Sequence, residues 1–200
     1  MHTRSRYLIS WMAMHSAVFS RHFMCYLCGM KRKLFAFAVM LFLFNCIDRL
    51  QAQTAADFNT MGVAKIQEED YRAAIEYFTN AIAIEPDFAP AYCNRGISKL
   101  KLEDYAAAIK DLNLALKLNP MDAVAFCNRG ISKSNRKDFL PALNDFNEAI
   151  ILNPNYGDAY YNRGMTRIQS GDNVAGCQDI IKSGELGDER SYDAIREYCK

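Results

Sequence analysis

The chain has 200 residues, 50% of them hydrophobic, and a formal net charge of +1 that averages two unlike parts. Residues 1–52 hold seven of the 24 basic residues and one of the 23 acidic residues, which leaves residues 53–200 with 17 basic and 22 acidic residues and a net charge of −5. A mildly acidic segment without a basic stripe does not fit a nucleic-acid-binding protein.

Residues 30–52 have the layout of a secretory signal peptide. A basic stretch at positions 31–33 precedes an uninterrupted run of 11 apolar residues at positions 34–44. This run is too short for a membrane-spanning helix, which needs about 20 residues, but it suits the hydrophobic region of a signal peptide. Ala52 is a small residue at a plausible cleavage point, although Leu50 is bulky. We therefore expect cleavage after Ala52 and export of the protein to the periplasm or the secreted space.

Two positions before residue 53 leave alternatives open. Met30 stands where such a signal peptide would begin, so residues 1–29 are either an over-extended start or a disordered extension with apolar character of its own. Cys46 follows the apolar run, as a lipidated cysteine does, but the three residues before it lack the small side chains that such a site prefers. We expect contact with a membrane only through an uncleaved signal peptide or through a lipid on Cys46.

From residue 55 the sequence repeats itself four times with a period of 34 residues. The positions in register are the aromatic residues Phe58, Tyr92, Phe126 and Tyr160, the glycines Gly62, Gly96, Gly130 and Gly164, the alanines Ala74, Ala108 and Ala142, and the prolines Pro86, Pro120 and Pro154. Internal repetition at this period indicates stacked pairs of helices rather than a domain with one central core.

This register resembles that of the tetratricopeptide repeat family, whose unit carries the same residue types at matching offsets. The resemblance covers about two thirds of the chain, residues 55–188. It implies an all-α fold, an α-solenoid of four helix–turn–helix hairpins followed by a capping helix. The predicted units are residues 55–88, 89–122, 123–156 and 157–188, and the predicted cap is residues 189–200.

Each unit is predicted to contain two helices that cross closely, because small glycine and alanine residues recur at the crossing. In the second unit we expect these helices at residues 91–102 and 105–118. An aspartate begins the second helix of every unit, where its side chain can accept hydrogen bonds from exposed N–H groups. Pro141 lies in the first turn of its helix, where a missing N–H is tolerated. The four capping residues are Asp70, Asp104, Asp138 and Asp172.

A pair of opposite charges recurs in the last three units. An arginine precedes the repeat glycine and an aspartate follows the arginine by 16 residues, whereas the first unit has Met61 and Tyr77 at these two positions. Because the charges are present or absent together, we predict ion pairs within a unit or to its neighbour. The alternative is three independent surface charges. The pairs are Arg95 with Asp111, Arg129 with Asp145, and Arg163 with Asp179.

The fourth unit departs from the pattern, with Gly176 and Ser183 at alanine positions and Asp188 at the proline position. The residues after it are predicted to form an amphipathic helix that covers the last unit. Tyr192, Ile195 and Tyr198 would form its packing face.

Cys177 and Cys199 lie at equal distances before and after Asp188. If the last helix of the fourth unit and the cap run antiparallel, these cysteines come level and can form a disulfide, the alternative being two small buried thiols. Cys93 and Cys127 are one repeat apart, which we expect to be too far for a disulfide.

The family resemblance implies that the first helix of each unit lines a groove that holds peptides or partner helices. Asparagine amides can hold the backbone of an extended ligand, and apolar neighbours suit non-polar side chains. The alternative for the apolar residues is packing between neighbouring first helices. The positions that match the family's lining are Asn59, Val63, Asn94, Ile97, Asn128, Ile131, Tyr161, Asn162 and Met165.

Some proteins of this family grip acidic C-terminal tails through lysine, asparagine and arginine residues. Only Asn94 matches that set here, and Asn59, Val63, Val124 and Asn128 occupy the other places. A clamp for acidic tails is therefore not expected.

The expected function is that of a non-catalytic interaction module, which binds a protein or peptide partner in the groove outside the cytoplasm. The alternative is a structural protein that self-associates through the groove or the cap. All three histidines lie before residue 53, and we find no phosphate-binding loop and no metal-spaced cluster after it. We therefore expect no enzyme activity, no metal, no cofactor and no small-molecule substrate.

Overall fold

The computed structural model describes residues 54–199, so the predictions for residues 1–52 lie outside the described part of the chain. Within that part the regular elements are all helices, which confirms the predicted fold class. Helices α1 to α8 form four consecutive hairpins, and α9 follows them. The helices are α1 (Ala55–Gln67), α2 (Tyr71–Ile84), α3 (Ala89–Lys101), α4 (Tyr105–Leu118), α5 (Ala123–Asn135), α6 (Phe139–Leu152), α7 (Gly157–Gln169), α8 (Asn173–Glu185) and α9 (Arg190–Tyr198). Among these described residues, no helix combines the length and the apolar character that crossing a membrane requires.

The second helices begin at their predicted aspartates, and three of the four aspartates cap them. Asp70, Asp104 and Asp172 each accept a hydrogen bond from the N–H group three residues later, at 3.0, 3.1 and 3.2 Å. Asp138 makes no such bond. The physical reason is Pro141, which occupies the donor position and has no N–H group.

The turn between the two helices of a unit needs a residue with positive φ. Glu69, Glu103 and Lys137 take φ values of 58°, 62° and 66° there, and Gly171 takes 98° at the corresponding position of the fourth unit. Such a residue ends a helix by letting the next N–H reach back to a carbonyl of the last turn. In the first unit this bond runs from the N–H of Asp70 to the carbonyl oxygen of Lys65, at 2.9 Å.

The repeat prolines end the second helices of the first three units. A proline forces the residue before it towards extended backbone, and that residue ends each of these helices with ψ between 91° and 94°. The fourth unit lacks the proline, and α8 instead ends at Glu185, shortly before Gly187, which takes a φ of 92°. The chain then turns back and forms α9.

The repeat glycines allow close contact between the two helices of each unit. A Cβ atom added at Gly96 would lie 2.8 Å from the side chain of Leu112, and one added at Gly130 would lie 2.7 Å from the ring of Phe146. In the fourth unit two glycines face each other, because a Cβ atom at Gly176 would lie 2.8 Å from the carbonyl oxygen of Gly164. The predicted close crossing is confirmed, and in the fourth unit the backbone itself lies closer than at Gly96, where the nearest backbone atom, the Ala108 carbonyl oxygen, would be 3.3 Å away.

The predicted ion pairs are present in all three units. The Arg129 guanidinium donates to both carboxylate oxygens of Asp145, at 2.9 and 2.7 Å, and Arg95 and Arg163 bind their aspartates in the same way. Each aspartate also binds a second cation, which was not predicted. These cations are Lys99, Lys133 and Arg167, at 2.7, 2.7 and 2.8 Å.

The cap packs against α8 through small residues, so the predicted face is wrong for its two tyrosines, whereas its third member, Ile195, is half-buried. Ser191 and Ala194 are buried, whereas Tyr192 and Tyr198 are 61% and 41% exposed. The two helices approach so closely that a Cβ atom at Gly184 would lie 3.3 Å from Cβ of Ser191. A tyrosine ring does not fit there.

A disulfide joins the cap to the fourth unit. It links Cys177 of α8 to Cys199 after α9, with the two Cα atoms 5.6 Å apart. Cys93 and Cys127 are free and buried.

Candidate functional site

A cavity of about 460 Å³, here called the main cavity, lies between the last three units. Its wall comes from helices α3, α5 and α7, from the turn after α3 and the first residue of α4, from the residue before α7, and from the start of α9. Its lining residues are Leu100, Lys101, Glu103, Tyr105, Cys127, Asn128, Ile131, Asn135, Tyr156, Asp158, Asn162 and Arg190.

Three of the nine predicted groove residues line this cavity together, namely Asn128, Ile131 and Asn162. Ile131 also packs against the buried cores of the second and third units, as the packing alternative predicted, while it lines the cavity. Ile97 packs against the core of the second unit and does not line the main cavity.

The other predicted residues lie elsewhere. The Asn94 side-chain amide donates to the side-chain oxygen of Asn59, at 3.0 Å, which links the first two units. Val63 is 36% exposed. Tyr161 and Met165 are half-buried and lie outside the cavity lining.

The two asparagines of the cavity are oriented by their own helices. The Asn128 amide nitrogen donates to the carbonyl oxygen of Val124 at 2.8 Å, and that of Asn162 donates to Asp158 at 2.7 Å. Each of these bonds uses one of the two N–H groups of the amide. The second N–H group and the amide oxygen can therefore bind a ligand backbone from a fixed position.

Two potentially ionisable residues in the wall stay neutral. Cys127 is 1% exposed, and this burial raises the pKa of its thiol to about 12. Burial also raises the pKa of the Tyr156 hydroxyl. Cys93, one unit earlier, has its pKa raised to about 12 for the same reason. At neutral pH the Cys127 thiol and the Tyr156 hydroxyl are therefore uncharged.

The charged edge of the cavity was not predicted. Lys101, Glu103, Asp158 and Arg190 all line the cavity. The predicted groove positions all lie on the first helices, whereas Glu103 comes from a turn and Arg190 from the cap. Asp158 could have been predicted from the sequence, because it precedes Asn162 by one helical turn and therefore lies on the same face of the helix.

Arg190 joins the cap to the fourth unit at one end of the cavity. Its guanidinium donates to both carboxylate oxygens of Asp188, at 2.9 and 2.6 Å, and also binds the carboxylate of Asp158. The same guanidinium lies 4.4 Å from the centre of the Tyr161 ring. The hydrogen bonds from Arg190 lower the pKa of Asp188. A second cavity, of about 360 Å³, lies beside this cluster and shares Asp158 and Arg190 with the main cavity.

Comparison with known proteins identifies the repeat. Models of the tetratricopeptide repeat match residues 58–88 and 89–122, which are the first two hairpins. This chain is a tetratricopeptide repeat protein. No sequence among the curated proteins matches it.

Solved structures of tetratricopeptide repeat proteins share the fold. MamA from Desulfovibrio magneticus RS-1 is 23% identical, with a TM-score of 0.63 over 72% of this chain and 81% of that chain. YrrB, described as a repeat protein with an unusual peptide-binding site, is 22% identical, with a TM-score of 0.63 over 81% of this chain and 89% of that chain. The second such domain of human RPAP3, in complex with the HSP70 peptide SGPTIEEVD, is 27% identical, with a TM-score of 0.54 over 56% of this chain and 94% of that chain.

Proposed function

We propose that this tetratricopeptide repeat protein is a non-catalytic interaction module that binds an extended peptide segment or a partner helix. The observation that carries the proposal is the main cavity, in which Asn128, Ile131 and Asn162 lie together. Two oriented amides supply hydrogen bonds to a peptide backbone, and the apolar floor between them suits a non-polar side chain.

The solved structures support this proposal at the level of the fold. The RPAP3 domain holds a peptide, and the YrrB structure is described by its peptide-binding site. The peptide bound to RPAP3 has an acidic end, whereas this chain keeps only Asn94 of the residues expected in a clamp for acidic tails. The ligand of this chain therefore differs from such tails.

We further propose that the protein acts outside the cytoplasm, in the periplasm or the secreted space. The signal-peptide layout of residues 30–52 supports this location. The disulfide between Cys177 and Cys199 supports it as well, because disulfides persist in oxidising compartments. N-terminal sequencing of the exported protein tests the proposal. Cleavage after Ala52 is expected, and an intact apolar run at residues 34–44 would contradict it.

Self-association is a second candidate, favoured by the exposed rings of Tyr192 and Tyr198 on the cap. Light scattering over a range of protein concentrations tests it. A dimer that Tyr192→Ser and Tyr198→Ser together disrupt would favour self-association, and a monomer at all concentrations would eliminate it.

Selection from a displayed library of nine-residue peptides, followed by fluorescence anisotropy, tests peptide binding. We expect the double change Asn128→Ala and Asn162→Ala to weaken binding of a selected peptide at least tenfold. The matched control changes Asn80 and Asn144 to alanine, because both are exposed on second helices. Failure to select any peptide, or equal weakening by the control, would overturn the proposal.

A further inference from the structure

We propose that Asp158, Asp188 and the ring of Tyr161 form a binding site for the guanidinium group of an arginine, and that the chain's own Arg190 fills it until an arginine of a partner peptide takes its place. This inference rests on the proposed function and adds to it the chemistry of the ligand. It also makes the cap an internal competitor for the end of the groove.

The first argument is that the three groups contact a guanidinium both at its edge and on its face. Asp188 binds Arg190 through two parallel hydrogen bonds, Asp158 binds it from the fourth unit, and Tyr161 presents the face of its ring. Paired carboxylate bonds and an aromatic face are the interactions that an arginine side chain uses in recognition. A guanidinium supplied by another chain could make the same contacts.

The second argument is position. Asp158 and Arg190 line both the main cavity and the second cavity, so the guanidinium lies where the two cavities meet. The Asn162 amide, which we assign to peptide binding, bonds to the backbone of Asp158 itself. A peptide held along the asparagines would therefore bring its next side chains to this site.

The third argument is that Arg190 is held by a weakly anchored helix. Helix α9 has nine residues, and its buried residues are Ser191 and Ala194, which supply little apolar area. The Ser191 hydroxyl is buried without a hydrogen-bond partner among the described residues, which is unfavourable for docking of α9. The disulfide at Cys199 ties the far end of the cap to α8. The start of α9 can thus move while the cap stays attached.

The fourth argument is charge. Apart from Arg190, the residues that line the two cavities include one cation, Lys101, and four acidic side chains. The net charge of residues 53–200 is −5, which has the same negative sign as the lining of the two cavities. A negatively charged site speeds the association of a positively charged partner and disfavours acidic ligands. The four acidic residues are Glu103, Asp158, Asp188 and Glu189.

The test titrates the full-length oxidised protein with two single-residue probes, N-acetyl-arginine methylamide and its neutral citrulline analogue, and follows the Tyr161 ring protons by NMR. In the variant Arg190→Met we expect the arginine probe to bind at least tenfold more tightly than the citrulline probe. We also expect it to bind that variant at least tenfold more tightly than it binds the wild type, because Arg190 no longer competes. Adding Asp158→Asn should remove the preference.

The matched control is Arg196→Met, because Arg196 lies on the same helix and, among the described residues, forms its ion pair with Asp193 of that helix. It should bind both probes as the wild type does. Arg190→Gln provides a second variant if the cap of Arg190→Met proves unfolded. Equal affinity of the two probes for a folded, disulfide-bonded variant would overturn the inference.

The sequences of the selected peptides show whether this inference or the proposed function fails. Enrichment of arginine at one position, which disappears with Asp158→Asn, would support both. Selected peptides without a basic residue, which bind without displacing Arg190, would overturn the inference and leave the proposed function intact. Binding of the arginine probe without any selected peptide would support the site and overturn the proposed function.

Discussion

Single side chains determine how one unit is joined to the next. Arg129 binds Asp145 within its own unit, donates to Asn113 of the preceding unit at 2.8 Å, and lies 5.3 Å from the ring centre of Phe126. Asp145 is buried and also binds Lys133. One arginine therefore contacts three other side chains, and its partner aspartate keeps a second cation if the arginine is removed.

Replacing this pair tests its contribution. We expect Arg129→Met alone to lower the free energy of unfolding by about 1–3 kcal/mol, because Asp145 stays buried with one cation fewer. The double change Arg129→Met and Asp145→Tyr copies the first unit, which has Met61 and Tyr77, and should recover most of the loss. Urea denaturation of the single and double variants measures the coupling. Additive losses would contradict it.

Two capping aspartates offer a comparison within one molecule. Asp104 accepts a hydrogen bond from the N–H of Ala107, whereas Asp138 has Pro141 at the corresponding position. We expect Asp104→Ala to cost about 1 kcal/mol of stability, and Asp138→Ala to cost clearly less. Thermal unfolding of the two variants decides the matter. Equal losses would show that the cap works through its charge rather than its hydrogen bond.

The free cysteines lead to a prediction about pH. Burial raises the pKa of Cys93 and Cys127 from 9.0 to about 12, so folding favours the protonated thiols. Their contribution to stability is complete below pH 9 and is lost as the pH rises towards 12. At pH 8 we expect a disulfide-exchange thiol reagent to label neither cysteine in the folded protein and both after unfolding. Rapid labelling of the folded protein would contradict this burial.

At the scale of the helices, the close approach of the two helices of the fourth unit explains why its sequence departs from the repeat. Its glycines, Gly164 and Gly176, face each other, and a Cβ atom at Gly176 would lie 2.6 Å from Ile168. The departure is therefore an adaptation to closer packing. It also places α8 against the cap, which depends on Gly184 for the same kind of approach.

A change back to the repeat pattern should accordingly be harmful. We expect Gly176→Ala to lower stability by about 1–3 kcal/mol through overpacking, although alanine is a better helix former. Gly157→Ala is the matched control, because a Cβ atom there would meet its nearest neighbour at 3.5 Å, an ordinary contact. Denaturation midpoints of the two variants measure the difference. A more stable Gly176→Ala variant would contradict the close crossing.

The sequence predicted elements better than it predicted the site. A 34-residue period marks helix pairs directly, because each copy must place the same small residues at the same crossing. The arginine–aspartate pairs were also visible, since both charges disappear together in the first unit. Neither the tyrosine positions of α9 nor the role of Arg190 could be found this way, because they depend on how closely the cap approaches α8 and α7. Repetition gives no information about a segment that occurs once.

At the scale of the whole molecule, the main cavity depends on several hairpins and the cap together. The main cavity draws its wall from three units, so no single hairpin contains the site. The ion pairs and the disulfide hold those units and the cap in the order that forms it. Binding should therefore depend on neighbouring units as much as on the residues that touch the ligand.

Hydrogen-exchange mass spectrometry of the protein with and without a saturating selected peptide tests this account most directly. Binding in the main cavity should slow exchange in α3, α5 and α7, whose side chains line it, and leave α2, α6 and α8 unchanged. Slowed exchange confined to those second helices, or no change at saturation, would contradict a groove on the first helices.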